Sequence, residues 1–230
     1  MARIAEISRQ TKETNITMKL NLDGTGEAKL NYPIGFMVHM LNTFARHGLF
    51  DIEIRAQGDL EVDQHHLVED TGIVLGQCFA KALGDKRGIR RTGGCLFPMD
   101  ETLARAAADV SGRPFLVFEA RLSGVPLVSA PTGGGANDGA SSFQTDTVED
   151  FWQGFTTAAG ITLHLDILRG RSDHHKIEAL FKAAARALRE AVEIDPRASD
   201  VIPSTKGTLV PGTLGVPEDP GRLKIPGALA

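Results

Sequence analysis

The sequence predicts an α+β fold made of two fused half-domains of one type. Two observations carry this. The order helix, strand, short loop, helix occurs twice, over 34–83 and 147–192. Each time the second helix opens on an acidic residue, paired histidines and a glutamate: Asp63-Gln-His65-His66-Leu-Val-Glu69 and Asp173-His174-His175-Lys-Ile-Glu178. A duplicated unit explains this better than one irregular domain. The halves are expected at 1–92 and 93–207, forming one compact functional domain, with a Gly-rich insertion at about 123–142 and a tail at 208–230.

Arg3–Gln10 and Asn15–Leu22 alternate as strands do. Asp23-Gly-Thr-Gly26 reads as a hairpin turn, because Asp-Gly supplies the positive φ of a tight turn. Ile34–Arg46 carries apolar residues at 36, 37, 40, 41 and 44, a helical stripe. Phe50–Ala56 alternates and is ended by Gly58-Asp59. Helix is expected from His65 to about Leu83, stopped at Gly84. Strands follow at Cys95–Met99, Leu103–Val110 and Phe115–Leu122, the last after a Ser111-Gly-Arg-Pro114 turn. The 123–142 stretch, with Gly-Gly-Gly at 133–135, reads as a surface loop. Thr147–Ala159 is then helix, Ile161–Leu168 strand, and His174 to about Val192 helix.

The 230 residues carry 25 Lys+Arg and 29 Asp+Glu, a net charge of −4. No basic excess points to nucleic acid. No apolar run approaches the roughly 18 residues of a membrane span, and the N-terminus lacks the apolar core of a signal peptide. Cys78 and Cys95 make neither a disulfide framework nor a thiolate cluster. The expected location is a reducing cytoplasm.

Of seven histidines, four lie in the two motifs. On a helix, His65 and Glu69 lie about 40° apart, and His66 and Glu69 about 60°. Either pair can grip one ion. Adjacent histidines diverge by about 100°, so each motif should serve two ions, shared between repeats or between subunits. Imidazole with carboxylate, and no thiolate, suits Mn, Fe, Co or Zn. The order differs from the zinc-protease helix motif, which weakens a peptidase reading.

The chain resembles the imidazoleglycerol-phosphate dehydratase family from Arg3 to about Leu209. The matching motifs include Arg9-Gln-Thr-Lys-Glu13-Thr, His39-Met-Leu41, Gly58-Asp59, Asp63-Gln-His-His66 with Glu69-Asp70, and Gly88-Ile89 with Arg91. They continue with Pro98-Met-Asp-Glu101, Asp109-Val-Ser-Gly-Arg-Pro114, Thr162-Leu-His164, His174-His-x-x-Glu178 and Ile202-Pro-Ser-Thr-Lys-Gly207. The resemblance implies a ribosomal-S5-domain-2-like half-domain used twice, each a sheet with helices on one face. It also implies a homo-oligomer of twenty-four subunits and two Mn ions per active site, with other divalent transition metals possible.

By the same resemblance one ion is held by His39, His66, Glu69 and His175, and the other by His65, His164, His174 and Glu178. His47 is left out as a ligand. The implied reaction removes water from imidazole glycerol phosphate to give imidazole acetol phosphate. The leaving proton is not acidic, so imidazolate character and a diazafulvene-like intermediate are implied. Glu13 is implied as the proton shuttle. Arg91, Arg113, Lys182, Ser204 and Lys206 match positions that bind the substrate phosphate. The chain departs from the pattern at Val38, usually Asp, which puts the orientation of His39 in question. It departs again at Thr43, often Gln, which puts a phosphate contact in question. A paralogue with altered substrate and a non-catalytic metal-binding assembly protein are the rival readings. Retention of Glu13 and the cationic set favours the enzyme.

Overall fold

The structure, a computed structural model, describes residues 2–128 and 142–209. The first half runs β1 (Ile4–Gln10), β2 (Thr14–Asn21), β3 (Ala28–Asn31), α1 (Gly35–Gly48), β4 (Asp51–Gly58), α2 (His65–Leu83). The second runs β5 (Thr92–Met99), β6 (Thr102–Asp109), β7 (Phe115–Glu119), β8 (Leu127–Val128), β9 (Ser142–Phe143), α3 (Thr147–Ala159), β10 (Thr162–Arg169), α4 (Asp173–Val192).

The two four-stranded sheets repeat one topology, β1-β2-β4-β3 and β5-β6-β10-β7. In each, the first three strands pair antiparallel and the fourth joins in parallel. This is the duplicated α+β fold that the sequence predicts. Pro98 is tolerated within β5 because β5 is an edge strand and need not donate to a second neighbour.

Alternation decides which face is covered. Ile16, Met18 and Leu20 of β2 are fully buried under α2, while Asn15 and Lys19 point outward. Leu163 and Leu165 of β10 are fully buried on the face that α4 covers, and His164 between them is exposed on the other face. α2 packs across α3, and α1 across α4, so the helices of the two halves meet with a sheet on each outer side. Phe44, Phe79, Phe155, Phe181 and Trp152 fill the space where the halves join. Glycine permits the closest crossing. A β-carbon at Gly72 would lie 2.1 Å from the Phe151 carbonyl oxygen, and one at Gly76 would lie 2.4 Å from that of Phe155.

Two expectations are corrected. Asp23–Gly26 does not join neighbouring strands, because β3 pairs in parallel with β4 on the side away from β2. The Asp51 carboxylate accepts the N–H groups of Thr25, Gly26 and Glu27 at 2.8–3.1 Å. It thereby turns the chain past β2 and on to the far edge of β4. Within the expected surface loop Leu127 and Val128 instead form a strand, Leu127 pairing with Phe143 and Val128 with Ser142. Residues 129–141, including the glycine run, and 210–230, most of the expected tail, lie outside the described residues. Among the described residues no helix is long and apolar enough to cross a membrane.

Candidate metal centre and active site

Helical spacing places the first histidine of each motif over its glutamate. His174 Nε2 lies 3.3 Å from Glu178 Oε2, and His65 Nε2 lies 3.7 Å from Glu69 Oε2. The second histidine of each pair turns away, with ring planes at 82° and 87° to those of their neighbours.

α1 crosses α4 so that His39 joins the second motif, its Nε2 3.3 Å from Glu178 Oε2. The donor atoms of His39, His174 and Glu178 all lie within 4.8 Å of one another. Two imidazoles and a carboxylate from both halves of the chain converge, which fits a divalent transition ion. Glu178 is buried, and Lys182 Nζ holds its second oxygen at 2.8 Å. Burial pushes the Glu178 carboxyl upward, but hydrogen bonds from Lys182 and His39 outweigh this and hold it below the ordinary value.

A groove runs up to this cluster, walled by Phe36, Leu60, Leu127 and Phe143. The Phe36 ring lies 4.7 Å from Phe143 and 5.3 Å from His174. Leu127 lies within the 123–142 stretch and Phe143 directly follows it, so a segment that reads as surface loop supplies part of the wall. Composition could not show this, because the wall forms only when β8 pairs with β9.

The first motif has its own surroundings. His65 Nδ1 lies 3.4 Å from Asp150 of α3. His66 Nδ1 meets both oxygens of Asp59 at 3.1 and 3.2 Å, and His66 Nε2 lies 4.0 Å from Glu13. The bond to Asp59 raises the pKa of His66. Glu13 and the motif are far apart in sequence, and the β1–β2 turn closes the gap. Asp70, next to Glu69, accepts from Arg9 and Thr14, pinning that turn to α2.

In the second half, His175 Nδ1 meets Glu101 at 2.9 Å. Glu101 also accepts the Ser172 and Arg171 N–H groups at 3.0 and 3.3 Å. The Ser172 N–H, then His175, hold the Glu101 carboxyl down at about 2.

The eight histidines and glutamates of the expected ligand set do not gather into two groups of four within one chain. His39 meets His174 and Glu178, not His66, Glu69 and His175. His164 faces away from α4, where with Thr92, Gly94, Asp109 and Thr162 it lines a cleft over the second sheet. At the two departures, Val38 packs partly buried against the core and Thr43 is buried. His39 takes Glu178 as its carboxylate partner. His47 lies edge-on to Phe97 at 5.3 Å, and burial lowers its pKa.

The expected phosphate residues divide. Arg113 is exposed, and its guanidinium has no hydrogen bond or ion pair among the described residues. Ser204 and Lys206 sit in an exposed turn where the Lys206 N–H donates to Ser204 Oγ at 3.2 Å. Lys182 is engaged by Glu178 and lies 5.5 Å from the Phe97 ring centre. Arg91 grips Asp109 through Nε at 2.7 Å and Nη2 at 3.1 Å, and its Nη1 donates to the Pro203 carbonyl at 2.9 Å. That fork leaves one N–H on each terminal nitrogen. Arg91 thus anchors the Ser204–Lys206 turn. Arg91→Ala should lower stability by about 1.5–3 kcal/mol, the range for a hydrogen bond to a charged group, as well as weaken substrate binding. Urea denaturation beside KM measures both effects, with metal content unchanged.

Comparison with known proteins identifies the family. The imidazoleglycerol-phosphate dehydratase family matches residues 33–188. The chain is 55% identical to imidazoleglycerol-phosphate dehydratase of Ruegeria pomeroyi over 207 residues, covering 90% of this chain and 100% of the relative. The figure is 52% for that of Methylorubrum populi, with the same coverage. Among solved structures, the dehydratase of Staphylococcus aureus is similar at a TM-score of 0.69 and 37% identity, covering 84% of this chain and 99% of that one. That of Pyrococcus furiosus, in complex with (S)-C348, is similar at 0.70 and 29%, covering 88% and 100%. With the duplicated fold, the paired His–His–Glu motifs and similarity along nine-tenths of its length, the chain belongs to the imidazoleglycerol-phosphate dehydratase family.

Proposed function

We propose that the chain is an imidazoleglycerol-phosphate dehydratase of histidine biosynthesis, working in the cytoplasm with two Mn ions per active site. Each site is completed between copies of the chain in an assembly of twenty-four subunits. The convergence of His39, His174 and Glu178 carries this reading. They supply three donors and leave coordination positions open for groups from elsewhere. His164, exposed on the opposite sheet face, can reach such a centre only from another copy. His65, His66, Glu69 and His175 complete the ligand set.

When bound, the ions supply Lewis-acid stabilisation of negative charge on the substrate's imidazole ring. The chain's own residues do the rest. Glu13 stands beside His66 on an exposed turn, placed to move a proton on the glycerol chain. Arg113, Lys206 and Ser204 hold the phosphate, with Arg91 fixing their loop and offering its remaining N–H groups. The half-domains divide at about residue 92, where β5 opens the second half.

The test is turnover: purified protein, Mn and imidazole glycerol phosphate should yield imidazole acetol phosphate. A metal-loaded, fully assembled protein that makes none would favour the non-catalytic assembly reading.

A further inference from the structure

The two halves carry matched carboxylates that the ligand set leaves out. Asp59 follows β4 and takes both its oxygens to His66 Nδ1. Glu101, in the β5–β6 turn, takes Oε2 to His175 Nδ1 at 2.9 Å. His66 and His175 are the second histidines of their motifs. In each, the carboxylate occupies the nitrogen nearer the backbone, which leaves Nε2 as the outward donor. The first histidine has its own helix glutamate, one turn along.

Glu101 has a further correspondence. It immediately precedes β6, as Glu13 immediately precedes β2, and the residues that follow, Thr14 and Thr102, are both buried. Glu101 therefore holds in the second half the place that Glu13 holds in the first. Their bonding has diverged. Glu13 is about half exposed, and among the described residues its side chain meets only His66, at 4.0 Å. The Glu101 carboxylate is consumed by His175 and by the N–H groups at the start of α4.

From this geometry we infer that Asp59 and Glu101 are a matched pair of positioning residues. Each fixes the ring and tautomer of the second histidine of its motif so that Nε2 is presented to a metal ion. The inference rests on the divalent-metal reading proposed above. A carboxylate on the far nitrogen of a ligating imidazole fixes ring orientation and raises ligand basicity. It also restricts the free choice of tautomer. Glu101 has a second task at the N-terminus of α4. The Asp59 side chain has no partner but His66 among the described residues, so it isolates the orienting role.

The experiment uses metal-stripped full-length protein, titrated with Mn against a chelator of known affinity, and loaded separately with Co to record its visible spectrum. Asp59→Ala and Glu101→Ala should each weaken Mn binding by about 10–100-fold, with a changed Co spectrum. Asp59→Asn, which keeps an oxygen able to accept the Nδ1 proton, should recover part of the lost affinity. The thermal midpoint of metal-free Asp59→Ala should match that of the parent. Parent-like Mn affinity and an unchanged Co spectrum in Asp59→Ala would overturn the positioning role while leaving the metal site intact. Failure of the parent itself to bind Mn or Co would overturn the metal reading and the inference with it.

Discussion

Glu178→Gln should abolish turnover and weaken Mn binding by more than the roughly 10–100-fold that outer partners control. Among the described residues Glu178 is the one carboxylate that His39 and His174 share, each at 3.3 Å, and it is buried. Glutamine keeps the shape but removes the charge that attracts the ion. Lys182, 2.8 Å away and only 17% exposed at its side chain, then loses its counter-charge. The metal-free variant should therefore also be less stable. Glu69→Gln serves as the contrast. Glu69 is 45% exposed at its side chain and 3.7 Å from His65. Its loss should weaken metal binding with little effect on metal-free stability, since exposed ion pairs contribute at most about 1 kcal/mol. Metal content, kcat and a metal-free melting curve on both variants check this. Full Mn binding by Glu178→Gln would remove the His39–His174–Glu178 cluster from the metal centre.

Glu13→Gln should leave metal stoichiometry and particle size unchanged and lower kcat by roughly two to four orders of magnitude, the range for general acid–base catalysis. The residue is poised but not consumed: its nearest charged partner is His66 at 4.0 Å. The turn that carries it is fixed by Thr11 and Thr14, and through Thr14 by Asp70 of α2. A glutamine at this site keeps those backbone anchors and loses only the ability to take a proton. Near-parent turnover would remove Glu13 from the mechanism. Loss of metal together with turnover would make it a ligand.

Much of the fold was legible because its signals are local. Helix periodicity located α2 and α4 almost to their ends, and the repeated His–His–Glu motif marked the duplication that the two sheets display. The pairing of His174 with Glu178 also follows from helical spacing alone. The parallel pairing of β3 with β4 was not legible, because an Asp-Gly turn reads as a hairpin unless the reach of Asp51 is known. The meeting of His39 with Glu178 depends on how α1 crosses α4, and no spacing along the chain encodes that. Arg91 and Lys182 were legible as cations but not as engaged cations, since Asp109 and Glu178 reach them through tertiary packing. The fourfold ligand groups implied by resemblance describe a complete centre, whereas one chain displays its donors on separate faces.

These separated donors should become one centre only when copies of the chain meet. If so, metal binding free energy is also assembly free energy. The direct measurement is light scattering of metal-stripped protein during titration with Mn, with bound metal counted in the same sample. Metal-free protein should be a small oligomer that grows to a particle of twenty-four subunits as about two ions bind per chain. A metal-free sample that already has the full particle mass, and binds Mn without any change in size, would contradict it.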